Sequence, residues 1–196
     1  MTTGEQERQH WDGLASDLSN VGGGDTMPPP GHFIQFLARG WRDTQADGDL
    51  LDLGCGPGRL AVPVSERLRR RVWAVDVSPN MLAQINPAAE LVWPVLGDGR
   101  AIPDAVQNIA MAWSVLMFQH VGLDVQIAYT AQVRNRLLPG GVFVAQVVTF
   151  GPVHDFSHPV AAWQAVAYGE MAGMDLVWAQ RDPVVREWTW LAWRKP

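Results

Sequence analysis

Residues 50–60 read LLDLGCGPGRL, and what sits against those glycines decides how the rest of the chain is read. Three apolar residues around Asp52 run into a turn of alternating glycines, and GRLAVPVSERLRR (58–70) leaves it with helical character. A strand that feeds a helix through glycines brings bare backbone close to a ligand, because side chains there would block the approach. At least two unrelated cofactors use such a turn. A dinucleotide fingerprint needs GxGxxG; here Gly54, Gly56 and Gly58 alternate, so the third glycine comes one place early.

Working outward, strand and helix patterns alternate. LLDLG (50–54), RVWAVDV (71–77), LVWPVLG (91–97), IAMAWSVL (109–116) and GVFVAQVVTF (141–150) read as strands. Helices are expected over 58–70, 79–85, 124–138 and 159–173, the third stopped by a Pro-Gly-Gly turn. DLVWAQR (175–181) and REWTWLAWR (186–194) follow as strands with only a turn between them. Crossovers of this length impose parallel pairing, whereas two strands joined by a turn run antiparallel. The expected fold is therefore α/β: a doubly wound, mostly parallel seven-stranded sheet with helices on both faces and an antiparallel edge strand at the C-terminus. Upstream, residues 5–19 have the spacing of a short amphipathic helix, VGGGDTMPPPG (21–31) breaks regular structure, and 32–41 is helical again. This divides a single domain into an N-terminal helical lid segment (1–41) and a ligand-binding body (42–196).

A length of 196 residues with 47% apolar and 18% charged residues fits one globular core. No apolar run reaches the ~20 residues of a membrane span, and the N-terminus lacks the pattern of a secretion signal. The single Cys55 excludes an intramolecular disulfide. A cytoplasmic protein without a membrane partner is expected. The net charge of −5 argues against a nucleic-acid partner, and RLRRR (67–71) reads as the cationic end of a helix.

The acidic residues identify the ligand. Asp52, two residues before the first glycine, can meet a positively charged amine. Asp76 ends the second strand, where a carboxylate can accept hydrogen bonds from both ribose hydroxyls. Asp98, in LGDGRAIP (96–103), can accept from an exocyclic adenine amine. Amine, ribose and adenine together describe S-adenosylmethionine (SAM). DLGCGPGRL, AVDVSPNML, GDGRAIP, SVLMFQHV and LLPGG, in this order across residues 50–145, resemble the motifs of the class I SAM-dependent methyltransferases. HWDGLAS (10–16) is similar to the aromatic-containing N-terminal helix that often covers the cofactor. The chain departs from the pattern at Asn108, where the family commonly has Asp.

The resemblance implies that Asp52 and the backbone of Gly54, Cys55, Gly56 and Gly58 hold the methionine portion, and that Asp76 takes the ribose. Val77 and Met81 would sandwich the adenine, with Ile102 a further candidate, and Asp98 with the Gly99 amide would read its edge. Ser114 and Val115 would lie beneath the sulfonium, and Trp11 would cover the site. His120 is either a general base for the methyl acceptor or a packed histidine. His154, Asp155 and His158, after the fifth strand, are expected to wall the acceptor pocket, with no metal. Tryptophans 73, 93, 113, 178, 188, 190 and 193 read as core. The acceptor is expected to be a small molecule, with oxygen or nitrogen receiving the methyl. Other readings are a SAM-binding protein without transferase activity, a nucleic-acid or protein methyltransferase, and a nicotinamide oxidoreductase, which the glycine spacing disfavours.

Overall fold

The computed structural model describes residues 4–15, 29–150 and 158–196. In chain order the elements are α1 (Gly4–Leu14), α2 (Pro30–Asp43), β1 (Asp49–Leu53), α3 (Ala61–Leu68), β2 (Val72–Asp76), α4 (Pro79–Leu82) and β3 (Val92–Leu96). There follow β4 (Ile109–Ser114), a 3₁₀ turn (Phe118–His120), α5 (Leu123–Arg136), β5 (Leu137–Val148), α6 (Ala162–Met171), β6 (Asp175–Arg181) and β7 (Trp188–Arg194). The strands form one seven-stranded sheet in the order β3-β2-β1-β4-β5-β7-β6. Strands β1 to β5 pair in parallel; β7 runs antiparallel to both β5 and β6. The C-terminal hairpin thus closes one side of the sheet, with antiparallel β7 between β5 and the outermost strand β6.

Both faces of the central strands are buried, which is why those strands are apolar throughout. On one face Phe33, Phe36 and Leu37 of α2 pack with Leu50, Met111, Val144 and Trp190; on the other Tyr129 and Tyr168 join Leu51, Leu53, Phe143 and Trp193. Phe36 stacks on Trp190 with ring centroids 4.2 Å apart. Helix α2 therefore belongs to the packed body, and α1 stands apart from it, touching α4. Gly169 lets α6 settle on Trp193: a Cβ there would lie 2.1 Å from the indole.

Two local expectations change. The segment LLPGG belongs to β5, because Leu137 already pairs with Ile109 before the register shifts and Met111 pairs with Val142; Gly140, at φ +76°, absorbs the irregularity. Trp93 is 42% exposed, since β3 is an edge strand with Pro94 facing outward, and the Arg71 guanidinium lies 3.9 Å from its ring centre. Trp113, Trp178, Trp188, Trp190 and Trp193 are buried as expected. Most of the glycine- and proline-rich stretch 21–31 lies outside the described residues. Asn108 takes a left-handed φ of +58°, a conformation asparagine tolerates better than most residues.

Candidate active site

The strand order reverses between β1 and β4, so the connections leaving these strands diverge at their carboxyl ends and open a crevice there. The glycine turn forms its floor. The Gly54 and Cys55 N–H groups donate to the Val75 carbonyl at 2.8 and 3.1 Å, holding the turn against β2. Gly54, at φ +80°, is doubly required, because a Cβ would come within 2.5 Å of the Met117 side chain. At Gly56, φ is +52° and a Cβ would meet nothing within 4 Å, so bare backbone faces open space. Gly58 turns away and packs on Ile85.

That space is a cavity of about 450 Å³. Of the residues the sequence nominated, Trp11, Asp52, Gly54, Cys55, Gly56, Asp76, Val77, Met81, Gly99, Val115 and His120 line it. Gly58, Asp98, Ser114 and His158 do not. Ser114 is fully buried, its hydroxyl without a hydrogen-bond partner among the described residues. Asp98 is exposed, and its Oδ1 accepts from the Arg100 and Ala101 N–H groups at 2.8 and 2.7 Å, capping the following turn. Those backbone donors, led by Ala101, lower its pKa. His154 and Asp155 lie outside the described residues. His158 returns to the site through its backbone, its N–H donating to the Gln119 carbonyl at 2.6 Å, one residue from His120.

The electrostatics favour a cation. Asp52 is only 3% exposed, and burial, reinforced by the nearby Asp76 charge, pushes its pKa up to about 8. A positive group beside it would offset the cost of ionisation. Asp76 is also raised, chiefly by burial, while its two oxygens accept from Gly56 N–H and Ser78 N–H at 2.8 and 2.9 Å. A carboxylate oxygen can accept more than one hydrogen bond, so capacity for ligand hydroxyls remains. Burial likewise raises the Cys55 thiol well above its ordinary value, which leaves Cys55 without nucleophilic thiolate.

Beyond Asp52 and the glycine turn, the wall is built by the segment after β4. Leu116 adopts φ +63°, a strained conformation for a side-chain-bearing residue. It is held by the buried Gln146, whose Oε1 accepts from the Leu116 N–H at 2.9 Å. Gln126 of α5 donates to the Phe118 and Val121 carbonyls at 2.9 and 3.0 Å, fixing the 3₁₀ turn. His120 at its end lies edge-on to Trp11, centroids 4.9 Å apart.

Glu7, His10, Phe33, Leu116 and Tyr129 also line the cavity, though the sequence reading did not nominate them. Glu7, Trp11 and Leu14, at intervals of four and three, share one helical face. That signal was present, but Glu7 does not register in a search for apolar periodicity. Among the described residues, no group of three His, Cys, Asp or Glu side chains is arranged to hold a metal ion. No described helix is long and apolar enough to cross a membrane.

Residues 50–141 match the family model described as a methyltransferase domain. With the motif order and the sheet topology, this segment is similar to the class I SAM-dependent methyltransferases. Among characterised relatives it is similar to the N-demethylindolmycin N-methyltransferase of Streptomyces griseus, with 31% identity over 140 residues, 65% of this chain and 56% of that protein. The chain thus spans little more than half the length of that relative. The CcbJ methyltransferase of Streptomyces caelestis shares the fold with a TM-score of 0.78, at 22% identity, over 96% of this chain and 98% of that one. The [4+2]-cyclase SpnF shares it with a TM-score of 0.77, at 17% identity, over 99% and 96% of the two chains.

Proposed function

We propose that this protein transfers a methyl group from SAM to a nitrogen of a small molecule. The observation that carries the reading is the cavity itself: one continuous wall runs from the buried Asp52 and the open Gly56 backbone to His120 and Phe33. The site residues fit SAM. Asp52 would face the ammonium group, Asp76 the ribose, and Val77 and Met81 the adenine, while Asp98 would reach the adenine edge from outside the wall.

When bound, SAM supplies a methyl group already activated on a sulfonium. The protein's task is then to align the acceptor and exclude water. The strained turn at Leu116 and the bracing by Gln126 fix the acceptor wall, and Trp11 with α1 covers the opening as a lid. His120, which lines the cavity, would take the proton that an acceptor nitrogen loses. A nitrogen acceptor is favoured over oxygen by the relative's named N-methyltransferase activity. A cytoplasmic location fits the lone buried thiol of Cys55.

Matched pairs of small amines and alcohols, including N-demethylindolmycin, should be incubated with SAM while S-adenosylhomocysteine is followed. Release with amines and not with alcohols is the expected result; release with alcohols alone would overturn the nitrogen assignment. A second reading, a cofactor-binding protein that performs no methyl transfer, is favoured by one observation: a [4+2]-cyclase has the same fold.

A further inference from the structure

Helix α1 supplies four residues to the cavity wall, Glu7, His10, Trp11 and Leu14, yet it packs outside the main core. Its attachment runs through a chain of hydrogen bonds that begins at the cofactor side. The Gly56 N–H donates to Asp76 Oδ2 at 2.8 Å, and the Ser78 N–H donates to Asp76 Oδ1 at 2.9 Å. The Ser78 hydroxyl then donates to Asp12 Oδ1 at 2.5 Å, and the same oxygen accepts from the Asn80 N–H at 3.3 Å. Ser78 is fully buried and also caps α4 by accepting from the Met81 N–H at 3.1 Å, so its side chain is fixed in place. A second tie joins Gln84 Nε2 to the Ala15 carbonyl at 2.7 Å. Asp12 is therefore one residue from Trp11 in sequence and one side chain, Ser78, from Asp76 in space.

We infer that Asp12 is a latch: through Ser78 it couples occupation of the Asp76 subsite to closure of α1, and so positions Trp11 over the cavity. The inference rests on the proposed SAM site. The bonds from Gly56 through Asp76 and Ser78 to Asp12 are all formed in the structure, so a ligand that engages Asp76 adds a tie to the carboxylate that holds Ser78 and, through its hydroxyl, Asp12. The glycine turn hangs on the same carboxylate, so floor and lid respond to one group. Asp12 touches neither acceptor nor methyl donor in this account. It is a positioning residue, and its loss should be felt as faster escape of the cofactor.

The test uses the full chain with SAM as the probe, following SAM dissociation and amide exchange over residues 5–14. Removing one charge-assisted hydrogen bond predicts about 10–100-fold faster dissociation for Asp12→Ala, with loss of the SAM-dependent protection of α1. Asp12→Asn, whose amide oxygen still accepts from Ser78, should recover most of both. Asp76→Ala at saturating SAM should abolish protection of α1, although Asp12 is intact. In a double-mutant cycle, Asp12→Ala and Ser78→Ala should be strongly non-additive. A mere cap on α4 predicts something else: a lower melting temperature for Asp12→Ala, with SAM dissociation and α1 protection as in the wild type. That outcome, or additive effects in the cycle, overturns the latch while leaving the cofactor assignment standing. Failure of the wild-type chain to bind SAM would instead remove the proposed function, and the latch with it.

Discussion

Replacing Asp52 by Asn keeps the shape of the side chain and removes its titration. Burial pushes the Asp52 pKa up to about 8 from an ordinary 3.8. At about 1.36 kcal/mol per unit, keeping this buried carboxylate ionised with no positive partner costs on the order of 5 kcal/mol. The sign follows from proton linkage. Between these two values the unfolded chain releases the Asp52 proton and the folded protein retains it, so stability from this group is complete below about pH 4 and is lost progressively up to about pH 8. The Asn variant escapes that loss, so its unliganded form should melt higher than wild type at pH 8 and differ less at pH 5. SAM binding should show the reverse: the variant should bind about 10–100-fold more weakly, having lost a charged partner for the ammonium. Wild-type binding near pH 7 should release a proton, visible in calorimetry as a dependence on the buffer's ionisation enthalpy, whereas the variant's should not. Equal affinities and equal proton release in the two proteins would refute the placement of a cation at Asp52.

Asp76→Ala should weaken SAM binding by roughly 1–3 kcal/mol, because it would remove the proposed ribose acceptor and also frees the Gly56 N–H that now bonds to it; titration calorimetry on the folded variant would show this. Gly54→Ala should lower both the melting temperature and SAM affinity, since the new methyl meets Met117 in a left-handed backbone; a variant as stable as wild type would contradict the fit of the turn. His120→Ala should leave SAM affinity nearly intact and reduce turnover by about 10²–10⁴-fold if the imidazole accepts the acceptor's proton. A wild-type rate would leave His120 as a packing partner of Trp11.

The fold was legible because its signals are local. Apolar runs separated by helices, and a C-terminal strand pair without a crossover, permit few arrangements. The position of β7 between β5 and β6 was not legible, since a hairpin's sequence does not state which of its strands meets the sheet. Asp52 and Asp76 line the cavity that the sequence led one to expect, because each sits at the carboxyl end of its strand. Asp98 shares that signal, yet its side chain caps a turn outside the cavity wall. The acceptor side left weaker traces. Phe33 and Tyr129 reach the wall from helices remote in sequence, and Gln126 and Gln146 act through backbone atoms of the turn that bears His120. Packing between distant segments brings these residues together, and no periodicity in either segment announces it.

The proposed activity is transfer of a methyl group, and not mere retention of the molecule that carries it. The most direct measurement supplies SAM with an isotopically labelled methyl, together with N-demethylindolmycin and a panel of small amines, and follows the label by mass spectrometry. A labelled N-methyl product should appear in step with an equal amount of S-adenosylhomocysteine. Saturable SAM binding, with the label remaining on SAM across the whole panel, would contradict it.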